Sequence, residues 1–239
     1  MSLKVLSAGA VKGGVAQLCA AFERESGNKV EVEFTQVPKL RKRIAAGEAV
    51  DVLVATAGAM DEFASAGKIV PATRALLGRS RVGVVVHQDA PAPDVSDTEA
   101  FKRALLAASA VVHNDASSGV YIATLLEKLG LKVLLGEKII VVSSGSAIIT
   151  TVAERGPGAG GTNSAAGAVG MGQISEIMVM IDKGCAVKLV APLPDAIQNV
   201  STYYAAAAAA SATPDAAAAL ARALTSDAAK KIFAATGID

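Results

Sequence analysis

The sequence predicts an α/β protein of two lobes, each a mostly parallel sheet flanked by helices, with two hinge segments crossing between them. Three observations lead there. Strand-length apolar stretches alternate with stretches of helical period along nearly the whole chain. Two proline-marked breaks, at residues 87–95 and just beyond residue 191, divide two such blocks. The chain has 239 residues, 52% of them hydrophobic. That suffices for one large domain or for two lobes of about 100–150 residues each.

Taken in order, residues 4–8 are apolar and bounded by Gly9, a first strand. Val15, Leu18, Ala21 and Phe22 then recur at helical spacing up to the stop Ser26-Gly27-Asn28. Val30-Glu-Val-Glu-Phe34 alternates as a half-buried strand does. A helix over 38–46 ends at Gly47, a buried strand spans 50–55, and a short helix over 60–66 closes at Gly67. Three successive βα units argue a parallel sheet. A strand over 82–86 leads into the proline-rich break. Helices over 97–107, 120–129, 146–155 and 174–182 then interleave with strands over 110–112, 138–142, 168–171 and 187–191. Residues 203–210, rich in alanine, read as a strand or as a second crossing. Helices over 214–224 and 227–235 close the chain. The expected lobes are therefore 1–84 with 201–239, and 85–200.

Composition excludes several functions. Charged residues make up 19%, and 23 basic against 22 acidic side chains leave a formal net charge of +1. Such a balance gives no electrostatic footprint for nucleic acid. Five Phe, three Tyr and no Trp offer no base-stacking platform. The basic run Lys39-Leu-Arg-Lys-Arg43 reads as the solvated face of a helix. The mean hydropathy of +0.44 comes largely from Ala and Val. The longest soft run, 203–212, falls far short of the ~20 apolar residues a membrane span needs. The expectation is a soluble globular protein without membrane insertion, and a monomer.

Cys19 and Cys185 lie far apart and read as unpaired thiols. His87 and His113 are too few for a multi-histidine zinc site, and neither a metal nor a cofactor is implied. Met1-Ser2-Leu3 runs directly into the first strand, with no basic segment followed by an apolar run. The chain reads as cytoplasmic, or as periplasmic if a leader has been removed. Residues 156–166 are glycine-rich, but they precede a strand and lack the Gly-Lys-Ser/Thr ending of a phosphate loop. They read as a flexible surface loop.

Several phrases, in co-linear order from Lys4 to the C-terminus, carry a family resemblance. They are Phe22-Glu-Arg-Glu-Ser-Gly-Asn, Arg43-Ile-Ala-Ala-Gly-Glu-Ala-Val-Asp-Val, Ala72-Thr-Arg-Ala-Leu-Leu-Gly and Gly119-Val-Tyr-Ile-Ala with Leu126-Glu-Lys-Leu-Gly. Val152-Ala-Glu-Arg-Gly and Gly172-Gln-Ile-Ser-Glu complete the set. With them the chain resembles the type-2 periplasmic binding proteins, closest to the molybdate-type solute-binding branch of ABC transporters. The resemblance implies two lobes closing on one small anionic solute, and an ABC permease as partner. In molybdate binders, serines after the first two strands and a tyrosine in the second lobe contact the oxyanion. Here Val11 stands at the first position, Gln36 or Val37 at the second, and Gln173 at the tyrosine position. Those departures favour a carboxylate over molybdate.

Physical chemistry gives the same kind of ligand. Helix N-termini carry unpaired N–H groups and a partial positive charge suited to anions. Four such termini are expected at the ligand: after Ala10, after Gln36, at Ser117-Ser118-Gly119 and at Ser144-Gly145-Ser146. The serines also suit helix N-caps, and Thr56, closing the third strand, suits either role. Lys12 supplies a formal charge for an acid, while Gln36, Gln173 and Asn114 bring amides that donate and accept. The expected ligand contacts are Ala10, Val11, Lys12, Gln36, Val37, Thr56, Asn114, Ser117, Ser118, Ser146 and Gln173. An alternative function is a cytoplasmic isomerase or tautomerase of a small organic acid, with Glu176, His113 and Lys12 available for proton transfer. A third is a ligand sensor without chemistry. There is no Gly-x-Ser-x-Gly elbow and no catalytic residue is assigned.

Overall fold

The structure is a computed structural model and describes residues 2–158 and 166–239. Most of the glycine-rich stretch read above as a surface loop therefore lies outside the described residues. The elements run β1 (Ser2–Ala8), α1 (Lys12–Ser26), β2 (Lys29–Thr35), α2 (Val37–Ala45), β3 (Val52–Thr56), α3 (Ala57–Ser65) and β4 (Ala75–His87). There follow α4 (Thr98–Ala107), β5 (Ala110–Asn114), α5 (Ser117–Lys128), α6 (Leu131–Leu135), β6 (Ile139–Val142) and α7 (Gly145–Glu154). The last are β7 (Ala168–Gln173), α8 (Ile174–Asp182), β8 (Val187–Pro192), β9 (Val200–Ala207), α9 (Pro214–Leu224) and α10 (Asp227–Ala235). Among the described residues, no helix is long and apolar enough to cross a membrane.

The chain divides into two compact units, Met1–Ser80 with Ser201–Asp239, and Arg81–Val200. It passes from the first to the second inside β4, ahead of the proline-rich stretch, because the strand continues unbroken through that point. The alanine-rich tract, open in the sequence between strand and crossing, forms β9.

In the first unit β2, β1 and β3 pair in parallel, and β9 joins β3 antiparallel. Ala8 pairs with Thr35, and Ser7 with Val54, so the three parallel strands end at one edge. Their following helices all start there. Leu3, Val5 and Leu6 of β1 and Leu53 of β3 are fully buried. Gly27, in the left-handed region at φ 70°, stops α1 without a Cβ penalty. The basic run on α2 is laced with ion pairs: Arg43 binds Glu33 and Glu48, and Arg41 binds Glu62.

In the second unit β6, β5 and β7 are parallel, and β4 and then β8 extend the sheet antiparallel. Strand alternation sorts the helices onto two faces. Val84 and Val86 of β4 join Phe101 of α4 and Ile122 of α5 in one core. Val85, pointing the other way, joins Ile148 of α7 and Ile177 of α8 in another. Asn114 pairs with Val142, and Val112 with Gly170. By that register Asn114, the end of β6 and Gln173 reach the same edge, where α5, α7 and α8 begin.

Candidate functional site

Each unit thus gathers three strand-to-helix turns at one sheet edge. In the first unit, Ala10 and Val11 form a 3-10 turn between β1 and α1, with Val11 buried at 1% exposure. Lys12 is the exposed first residue of α1. Its ammonium stands 5.5 Å from the centroid of the Phe34 ring, a cation–π distance. Phe34 lies near the end of β2, so the positive charge sits where the first two turns adjoin. Gln36 occupies the N-cap position of α2 and Val37 its buried first turn. Thr56 is the N-cap residue of α3, yet its side chain caps nothing.

In the second unit the turn after β5 is the most enclosed. Asn114 is 2% exposed and Ser118 is 7% exposed. The Oδ1 of Asn114 accepts the Ala116 N–H at 3.1 Å, which stiffens the turn into α5. Among the described residues, its amide nitrogen and the hydroxyl of Ser118 have no hydrogen-bond partner. Ser117 and Ser118 are not caps; the cap position is Ala116, and both serines lie within the first turn.

The turn after β6 is capped differently. Ser144 accepts the Ala147 N–H at 3.2 Å, and its hydroxyl lies 3.1 Å from that of Ser146. Ser146 is thus the partner of the cap residue and not the cap. The Gly145 and Ser146 N–H groups begin the helix without intrahelical acceptors. After β7, Gln173 is the N-cap residue of α8 and is 3% exposed.

Glu176, in the first turn of α8, is half-buried, and its carboxyl end lies against Gly145 of α7. Loss of hydration pushes this carboxyl from 4.5 up to about 7. Among the described residues, His113 does not pair with it. His113 is buried, with Nδ1 2.9 Å from the Asn114 carbonyl oxygen, while Lys12 belongs to the other unit. The 30 residues between Gly145 and Glu176 hide their contact in the sequence, where only the Gln-Ile-Ser-Glu phrase marks the place. Tyr121 is structural: its hydroxyl donates to the Ile197 carbonyl at 2.8 Å.

Each of the two units thus presents one edge of strand-to-helix turns, where helix N-termini carry unpaired N–H groups. The chain belongs to the bacterial extracellular solute-binding proteins, whose family model matches residues 3–239. It shares its fold with the periplasmic molybdate-binding protein of Azotobacter vinelandii (TM-score 0.75, 18% identity, covering 99% of this chain and 98% of that one). The tungstate ABC transporter structure from Geobacter sulfurreducens is also similar (0.69, 16%, covering 98% and 97%). In sequence, the chain is 29% identical over 240 residues to an aconitate isomerase from a Pseudomonas species, covering 97% of this chain and 85% of that one.

Proposed function

We propose that this solute-binding protein closes its two lobes on a small organic carboxylate, and that an ABC permease receives the loaded form. The observation that carries the reading is the first turn of α5. There the amide nitrogen of Asn114, the hydroxyl of Ser118 and the first helix N–H groups offer donors on largely buried residues, and among the described residues the two side-chain donors have no partner. Gln36, Gln173 and Asn114 stand on turns of the two units, and such amides suit an organic acid with several functional groups better than a bare tetrahedral oxyanion. Lys12 would balance part of the charge.

A second reading, an isomerase of a small organic acid, is favoured by one group. The Glu176 carboxyl, raised to about 7, suits proton transfer at neutral pH, and the aconitate isomerase relative acts on a tricarboxylate.

Thermal unfolding against molybdate, sulfate, and mono-, di- and tricarboxylates, followed by mass spectrometry of each mixture, tests both. A carboxylate that raises the midpoint and is recovered unchanged supports binding. Conversion of cis- to trans-aconitate supports the isomerase. A response to molybdate alone overturns both. Gln173→Ala should cost about 1–3 kcal/mol of affinity if its amide is a buried contact.

A further inference from the structure

The Glu176 carboxyl lies against the start of a neighbouring helix. It is the third residue of α8, and its carboxyl is packed onto Gly145, the first residue of α7. A Cβ built on Gly145 would stand 1.9 Å from Oε2, 2.2 Å from Cδ and 2.6 Å from Oε1. The whole carboxyl group therefore covers the glycine, and a larger residue at 145 would push it aside. This places it beside the first turn of α7, whose N–H groups at Gly145 and Ser146 have no intrahelical acceptor.

Among the described residues of its own unit, no counter-charge meets it. α8 packs on α7, β7 and β8. β7 carries no titratable group, β8 carries Lys188, and α7 carries Glu154 at its far end, roughly 13 Å along the helix from Gly145. On α8 itself the other charged group is Asp182, at the opposite terminus. Neither Lys188, Glu154 nor Asp182 forms an ion pair with Glu176 among the described residues. A carboxylate anion here would oppose any anionic ligand on the same N–H groups, whereas a carboxylic acid would donate to it.

We propose that Glu176 binds the ligand as a protonated acid, so that each carboxylate bound brings one proton with it from solvent. The inference rests on the reading above, in which the ligand is an organic carboxylate held at these turns. The balance is simple: the Glu176 carboxylate takes a proton, and the new O–H donates to a ligand oxygen. Hydration loss already holds the carboxyl near neutrality in the empty protein, and a neighbouring anion raises it further.

Tricarballylate is a suitable probe, because it lacks a double bond and cannot be isomerised. Calorimetry at pH 8 in two buffers of different ionisation enthalpy measures the protons taken up per ligand bound. About one proton is expected at pH 8 and near none at pH 6, with affinity falling about tenfold per pH unit above the group's midpoint. Glu176→Gln should bind with little uptake at either pH. Binding of tricarballylate to the unaltered protein without proton uptake at pH 8, or an uptake unchanged in Glu176→Gln, overturns the role of Glu176. Absence of binding at every pH would instead remove the carboxylate reading beneath it.

Discussion

Gly119, in the first turn of α5, rests on the main chain of Asn114 at the end of β5. A methyl group on its Cα would stand 1.6 Å from the Asn114 carbonyl oxygen. That contact is with backbone and has no flexible end to move, so the helix can start this close only from glycine.

Gly119→Ala should therefore displace the start of α5 and destabilise the second unit by about 1–3 kcal/mol or more. Urea unfolding checks it: the midpoint should fall with an unchanged slope. A variant as stable as the parent would mean that the turn yields freely.

Ser118→Ala should separate binding from folding. The residue is largely buried but its hydroxyl bonds to nothing among the described residues, so its loss should leave the stability within about 0.5 kcal/mol. If it donates to a ligand carboxylate, affinity should drop by about 1.5–3 kcal/mol. Titration of the two proteins with the same carboxylate reads the difference.

Acid should weaken the first unit through Glu48. Its carboxylate accepts from Arg43, Nη2 at 2.6 Å, and from Lys4 at 2.7 Å. Those bonds, that of Arg43 foremost, hold its carboxyl down from 4.5 to about 2. A depressed acid contributes stability that is whole above about 4.5 and is lost as pH falls through about 2. Glu33, also bound by Arg43, shifts the same way. Glu48→Gln should flatten the fall in unfolding midpoint between those pH values. An acid limb of unchanged slope would assign the loss elsewhere.

The two thiols should differ in reactivity. Cys19 is buried on α1, and loss of hydration pushes its thiol up to about 12, so thiolate is scarce at pH 8. Cys185 is half-buried in the turn before β8. A maleimide at pH 8 should modify one cysteine per chain quickly, with Cys19 following only on unfolding. Peptide mapping identifies which residue reacted.

Much of the fold was legible along the chain because each element is amphipathic with its own period. Val30-Glu-Val-Glu-Phe34 has period two, and β2 has the alternating exposure this requires. Residues 174–182 and 214–224 are helices over the spans their periodicity predicts. α6 escaped notice because five residues give barely more than one helical turn. The early start of β4 at Ala75 escaped because its first residues lack alternation. The alanine tract stayed open between strand and crossing because alanine marks no face. Packing resolves it: Ala205, Ala206 and Ala207 are at most 1% exposed beside β3, where small side chains fit.

The sequence by itself determined the order and type of most of the elements, the family, and where strand-to-helix turns fall. These follow from local periodicity, from capping residue types and from phrases in fixed order. Only the tertiary structure decided which groups at those turns remain available. Ser144 and not Ser146 caps α7, Ser118 is buried with its hydroxyl open, and Glu176 lies on Gly145. Such relations depend on which strands share an edge and how closely helices approach. Sheet register and packing set both, between residues too distant in the chain for any local pattern to record.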